Sequence, residues 1–437
     1  MRHEHRRTSS AVLFCAGTML LFGLLSSDLW RAAVGFPGID FYQYWGVGKI
    51  QRYSEFRAGS PYQRTTEYTT GIRLLAEAQR SGPLMQAQNA RQAVDITGSP
   101  FLYHAYTLLP EDYSYALLYA RLLEMAGVFV VLFALFALRG YLGMAAPASL
   151  ALMYGFDPLL IDIGVANVNG LQVLLTGSGC FLVSIALRRS MREQVVSSLL
   201  SALGTFLCIV SALLKPTTLL AAIFLAGALL MVNGRRGAAQ VSAAVLAAIV
   251  LVAMSGNYFG SIAVWSEWLA EITAPDRLEY AAAQGNLSLI TILSNALEMN
   301  RTVISTGFVL LVIASCWWAF AAHGRALLPE RVMSAAADPF LLVTLGIAIM
   351  LLLSPLVWTH YLVLMLCPAV YLLIAPNVST RTTVLAVTAL LLAAGAGRHA
   401  YQNVGILTPA IVHALNVSAL PTLWIACLSY LSQRSET

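Results

Sequence analysis

The residues whose types could do chemistry are few, and each lies in an otherwise apolar chain. Asp40 sits in Gly38-Ile39-Asp40-Phe41-Tyr42-Gln43-Tyr44-Trp45, one acid among aromatic rings. A positioned carboxylate can take the proton of a hydroxyl, and aromatic faces are platforms for sugar rings or lipid. The plain alternative is an interfacial aromatic belt with Asp40 as a helix cap. Lys215 lies in Leu213-Leu214-Lys215-Pro216-Thr217 between two apolar runs. It could snorkel to an interface, or meet a phosphate or carboxylate. Ser354-Pro355-Leu356-Val357-Trp358-Thr359-His360-Tyr361 carries a histidine after a Ser-Pro turn, and a lone histidine in an apolar setting is more often structural. Asp157, Asp162, Asn167, Asn169, Asn286 and Arg398 complete the polar residues at the ends of apolar runs. Asp157 precedes Pro158 and fits a turn cap.

The elements that position these residues must be membrane helices. Of 437 residues, 58% are hydrophobic and 11% charged, against about a quarter charged in a soluble domain. A globule of that composition could not cover itself with water-compatible groups, which excludes a soluble enzyme. Stretches long enough to cross a hydrocarbon core lie at 11–29, 115–138, 143–161, 170–187, 196–214, 217–233, 238–255, 303–322, 339–355, 360–375, 382–397 and 410–431. They predict an all-α polytopic membrane protein with about 12 transmembrane helices in one continuous domain, 1–437. The stretch 143–161 is the least regular, because Asp157 and Asp162 interrupt its end. MRHEHRRTSS and the apolar run behind it resemble a signal peptide, but no convincing cleavage site precedes Trp30, so an uncleaved first helix is expected. The six cysteines all sit in apolar runs without CxxC spacing and read as small core residues.

Basic residues set the orientation. With the N-terminus cytoplasmic, the inner segments carry Arg2, Arg6, Arg7, Arg139, Arg188, Arg189, Arg192, Arg235, Arg236, Arg325, Arg331, Arg381 and Arg434, while the short outer loops carry mainly Arg277, Arg301 and Arg398. Both termini are then inside. Two long loops, 31–114 and 256–302, fall outside, the first with a helix-like stretch over 65–93. The net charge of +5 is spread in short clusters, which reads as topology and gives no nucleic-acid footprint. Asp40, Asn167, Asn169, Lys215, Asn286 and His360 all fall on the outer side. Ionisable groups near lipid usually face a protein-lined cavity, so one outward polar cavity is expected.

Several segments in order resemble glycosyltransferase family 87 of the GT-C superfamily, the polyprenyl-phosphate-mannose-dependent enzymes that include bacterial phosphatidylinositol-mannoside mannosyltransferases. The segments are Asp40-Phe41-Tyr42, Ser60-Pro61-Tyr62, Phe101-Leu102-Tyr103, Ala166-Asn167-Val168-Asn169, Lys215-Pro216, Gly285-Asn286-Leu287-Ser288 and Ser354 to His360. The chain departs from the pattern at His104-Ala105, where prolines are usual, at Ala166-Asn167, where Gly-Gln is usual, and at Tyr361, where a second histidine is common.

The resemblance implies a GT-C-type bundle in a bacterial inner membrane with its active site on the periplasmic side. It implies inverting transfer of a hexose, mannose in the family, from a polyprenyl-phosphate-linked donor to a glycolipid or glycan acceptor. Asp40 would be the catalytic base. Lys215, His360 and Trp358 would hold the donor phosphate, and Tyr42, Tyr44, Tyr103, Asn167, Asn169, Asn286 and Ser288 would line the substrate cavity. No cofactor and no metal is implied. The chain shows neither P-loop nor dinucleotide fingerprint, and no DxD pair in the first long loop. The rival expectations are a secondary transporter, with sites at the membrane midplane, and a non-catalytic component of an envelope assembly. The orientation itself is checked by labelling with an impermeant maleimide: Ser60→Cys should react from outside and Arg236→Cys should not, and the reverse pattern would turn every assignment of side around.

Overall fold

The computed structural model describes residues 2–53, 60–79, 82–92, 94–188, 194–274, 285–321, 328–404 and 407–433. Among these the chain is helical and contains no strand. Arg189, Arg192, Arg277, Arg325 and Arg434, residues 80, 81 and 93 of the helix-like stretch, and residues 275–284 of the second long loop lie outside the described residues.

Helix α1 (Arg2–Leu25) is apolar from Thr8 onward, and the short α2 (Ser27–Gly35) follows it. Gly38 then adopts φ +71°, and a side chain there would strike Leu117, so glycine is required where the chain turns into α3 (Ile39–Ile50). Every residue of α3 from Phe41 to Ile50 is buried. The burial comes from α4 (Thr65–Gln79), α5 (Gly82–Ala90) and α6 (Pro100–Tyr106), which all pack on α3. The first long loop is therefore a helical layer with its own core of Phe41, Tyr44, Trp45, Tyr103, Tyr106 and their neighbours. Ser99 fastens this layer to the membrane bundle: its Oγ accepts from Leu102 N–H to cap α6 and donates to the Leu214 carbonyl.

The bundle continues with α7 (Tyr113–Leu138), capped by Asp112, whose carboxylate accepts from Tyr115 N–H at 3.0 Å. The expected continuous span at 143–161 is broken into α8 (Leu142–Tyr154) and α9 (Asp157–Val165), which meet at 69°. The physical reason is local. Asp157-Pro158 is a start signal, with proline at the first turn of a new helix, and Gly155 lets the α1 backbone approach the corner where a Cβ would lie 1.8 Å from Met19 O. Next come α10 (Asn169–Arg188), α11 (Gln194–Leu214), α12 (Leu219–Asn233) and α13 (Arg235–Tyr258). The second long loop holds α14 (Val264–Ile272) and α15 (Leu289–Ala296). The remaining helices are α16 (Arg301–Ala321), α17 (Leu328–Ala336), α18 (Pro339–Leu353), α19 (Val363–Ile374), α20 (Thr380–Ala393), α21 (Ala396–Val404) and α22 (Pro409–Gln433).

Among the described residues, eight helices are long and apolar enough to cross a membrane, or up to eleven if each bent pair counts as one span; the run through α19, Thr359–Ile374, is shorter. The chain is thus an all-helical, multi-pass membrane protein with eight or more candidate spans, against the expected twelve. Lipid is the solvent its surface requires: α16 alone exposes Leu310, Leu311, Ile313, Trp317 and Trp318.

Helices α10 and α11 come into backbone contact at Gly179 and Gly204, where a Cβ on either would stand 2.6 Å from the other's carbonyl oxygen. Small residues at such a crossing let membrane helices pack through backbone contact. Gly204→Leu should cost about 1–3 kcal/mol from overpacking and lower the unfolding temperature in detergent. Gly17→Ala, which meets nothing within 4 Å, should not; equal midpoints for the two variants would refute the close approach.

Candidate active site

Two helix ends are brought to one place by a single cation. Arg121 of α7 donates through Nε to Ile163 O at 2.9 Å and through its Nη atoms to Gly164 O at 3.1 Å, Val34 O at 2.7 Å and Phe36 O. Those carbonyls close the C-terminal turns of α2 and α9, where a positive charge is favourable. Each helix leads at once into a functional candidate. After α2, Tyr113 donates its hydroxyl to Pro37 O and Gly38 O, and Asp40 follows in the first turn of α3. After α9, Ala166 takes the left-handed conformation (φ +51°, ψ +61°), unusual for a residue with a side chain. That turn aims Asn167 at Asp40.

Asn167 is the hub. Its Nδ2 donates to Asp40 Oδ2 at 2.8 Å and lies 3.4 Å from the Tyr44 hydroxyl and 3.3 Å from His360 Nε2. Its Oδ1 accepts from Val168 N–H at 2.7 Å and from Lys215 Nζ at 3.2 Å. The other oxygen of Asp40 accepts from Arg91 Nη1 at 3.0 Å, and His360 Nε2 stands 3.9 Å from Oδ2. Arg91 also pairs with Asp95 at 3.5 Å. Lys215 rests over the ring of Tyr361, 3.7 Å from its centroid. Its backbone is extended because Pro216 follows, and Gln172 Nε2 holds its carbonyl at 2.8 Å. Burial pushes the Tyr44 phenol well above its usual pKa, and the Asp40 carboxylate adds to the shift. The phenol therefore keeps its proton and can donate.

Asp40 keeps 15% of its side chain exposed, and Arg91, Lys215 and Tyr361 are likewise half-buried. The other acids are used elsewhere. Asp162 is fully buried; its oxygens accept from Asn169 Nδ2 at 2.8 Å and Gly170 N–H at 3.2 Å, capping the start of α10. Asp157 pairs with Arg398 at 2.7 Å in a separate cluster with His399 and Ser26. Among the described residues no group of three or more His, Cys, Asp or Glu side chains is placed to hold a metal ion.

Asp40, Tyr44, Asn167, Lys215 and His360 are thus drawn together. Asn169 is one step removed, donating to His360 O at 3.3 Å as well as to Asp162. Asn286 and Ser288 brace the turn that carries His360. Asn286 Oδ1 accepts from Val357 N–H at 2.8 Å, its Nδ2 donates to Pro355 O, and Ser288 Oγ donates to Ser354 O at 2.6 Å. Trp358 is half-buried and stands against Gly285. Tyr103 accepts from Gly98 N–H and packs on Tyr44, and Tyr42 is buried in α3 with its phenol pushed up to about 12 by that burial.

Sequence reasoning missed Arg91, Tyr361, Arg121 and Glu124. The last two were visible in principle, being an arginine and a glutamate inside the apolar stretch 115–138. Glu124 is fully buried, with Oε2 unpartnered, against Gly170 at the start of α10. No family model, curated protein or solved structure matches the chain.

Because Asn167 satisfies both a carboxylate and an ammonium, its loss removes one hydrogen bond from each of two half-buried charges. Asn167→Ala should cost about 1–3 kcal/mol, read as a lower unfolding temperature in detergent. An unchanged midpoint would show that the hub carries no weight.

Proposed function

We propose that this chain is a membrane glycosyltransferase that moves a hexose, mannose by the family resemblance, from a polyprenyl-phosphate donor to a hydroxyl of a glycolipid or glycan acceptor, with inversion. The observation that carries the reading is the amide of Asn167, with Asp40 on its nitrogen and Lys215 on its oxygen. Such a transfer needs a base for the acceptor proton and a cation for the departing phosphate, a few ångströms apart and fixed before the reaction starts.

In this reading the acceptor hydroxyl gives its proton to Asp40 as its oxygen bonds to the anomeric carbon. The bond from that carbon to the phosphate oxygen breaks on the opposite face, and the phosphate leaves as an anion beside Lys215. His360 and the Tyr44 hydroxyl supply further hydrogen bonds. A carboxylate offers about four lone-pair directions, and Arg91 and Asn167 take one on each oxygen, so room for the acceptor remains. Partial exposure favours Asp40 over Asp162, whose oxygens are already engaged in a fully buried cap. The site would face the periplasm of a bacterial inner membrane, with both termini cytoplasmic.

A secondary transporter is the second reading, favoured by the three bent helix pairs. Against it, Asp40, Asn167, Lys215 and His360 gather at one end of the bundle, where α10 begins and α11 ends.

The deciding measurement is product analysis of purified protein with polyprenyl-phosphate sugars. Asp40→Asn keeps shape and removes basicity, and should lower turnover by at least about 100-fold while donor binding persists. Lys215→Ala should weaken apparent donor affinity by about 10- to 100-fold, the worth of a charged hydrogen bond. Full turnover by Asp40→Asn with a dead Asp162→Asn would move the base to α9. Absence of any glycosyl product, with solute uptake in proteoliposomes that Asp40→Asn abolishes, would establish the transporter.

A further inference from the structure

The other end of the bundle holds a second polar concavity. Helix α10 starts at Asn169 in the candidate active site and ends at Arg188, about 30 Å away at 1.5 Å per residue. At that far end a cavity of about 450 Å³ is lined by Arg188, by Arg139 just beyond α7, and by Arg236 in the first turn of α13. The three arginines thus come from the ends of three different helices. Ser184, Ser197 and Asn233 add hydroxyl and amide groups, and Leu135 and Phe340 form part of an apolar wall.

Asp338 is the one acid among the described residues that line the cavity. It accepts from the Tyr371 hydroxyl at 2.6 Å and from Leu341 N–H at 3.3 Å, capping α18. Arg139 lies over the ring of that same Tyr371, 5.6 Å from its centroid. Among the described lining residues, three cations stand against one acid already engaged in capping, a net positive balance. Guanidinium groups are suited to bidentate phosphate recognition. The volume falls in the range of small-molecule sites, about 300–1,000 Å³. Basic pockets between membrane helices near a bilayer surface suit anionic headgroups.

We propose that this cavity binds a phosphate group, presented either by the headgroup of an anionic membrane lipid or by a free phosphate compound. The apolar wall beside the arginines favours the lipid. The inference concerns binding alone and stands whether or not the opposite end transfers sugars.

The test is native mass spectrometry of the purified full-length protein with phosphatidylglycerol, with phosphatidylcholine of the same acyl chains, and with inorganic phosphate as competitor. Phosphatidylglycerol should be retained well above phosphatidylcholine. Retention should fall by about thirtyfold in the double variant Arg139→Gln/Arg236→Gln, given the usual worth of two basic residues near anionic lipid. If the double variant does not fold, the single change at the exposed Arg188, Arg188→Gln, should still lower retention several-fold. Arg381→Gln removes an exposed cation outside the cavity and should leave retention unchanged. Displacement by millimolar inorganic phosphate, with no preference between the two lipids, would assign the site to free phosphate. No lipid preference and no phosphate competition would overturn the proposal, and so would an equal loss in Arg381→Gln, which would reduce the effect to general surface charge.

Discussion

A guanidinium inside an apolar helix cannot be left without partners, and the way Arg121 finds them fixes the polar end of this protein. Isolated in hydrocarbon the charge would be very costly. Here four carbonyls surround it, drawn from the last turns of two helices that are far apart in the chain. Those carbonyls lack partners within their own helices, so one side chain satisfies two needs together. The geometry that follows is strict. Asp40 enters a few residues beyond one helix end and Asn167 two residues beyond the other. Their contact at 2.8 Å is a consequence of where Arg121 holds the backbone.

The site also lies on a seam between two cores. One is the large apolar core of the membrane helices, which includes Ile163, Leu352 and Leu364. The other is the aromatic core of the α3–α6 layer, which takes in Ala166 and Val168 from the bundle. The layer is held down by polar bonds at its edges. Tyr258 at the end of α13 donates to Gly48 O, and Trp268 of α14 donates to Thr97 O. Asp40 and Tyr44 come from the layer; Asn167, Lys215 and His360 come from the bundle. A shift of one core against the other would part the carboxylate from the amide.

How much of this is legible in the sequence depends on the range of the interaction. The long apolar helices are legible because eighteen or more apolar residues in a row have few alternatives. The break between α8 and α9 is half legible, since Asp157-Pro158 announces a new helix, but the 69° turn also needs α1 pressing on Gly155. The layer over 31–114 reads as a loop because its core is made by distant pairs such as Phe41 with Tyr113 and Tyr44 with Tyr106. No periodicity records such pairs. Asp40, Lys215 and His360 stand out as polar residues in apolar surroundings. Arg91 does not, for it meets Asp40 across 51 residues from an ordinary polar stretch. Asn286 and Ser288 are legible as important but not as braces, a role that appears only when residues 354–357 lie beside them.

The two ends of the bundle solve opposite electrostatic problems. At the Asp40 end nearly every charge has a named partner: Asp40 with Arg91, Asp162 with Asn169, Asp157 with Arg398, Lys49 with Glu111. Polar groups fixed in this way do not need to reorganise when charge moves, which is the condition under which a low-dielectric site stabilises a developing anion. At the far end, Arg139, Arg188 and Arg236 outnumber Asp338 among the described residues that line the cavity, and the proposed phosphate would meet that surplus. Paired charge suits a place where charge is transferred, and surplus charge suits a place where an anion is held. The same helices, α7 and α10, carry both, so their length sets the separation between the two at about one hydrocarbon core.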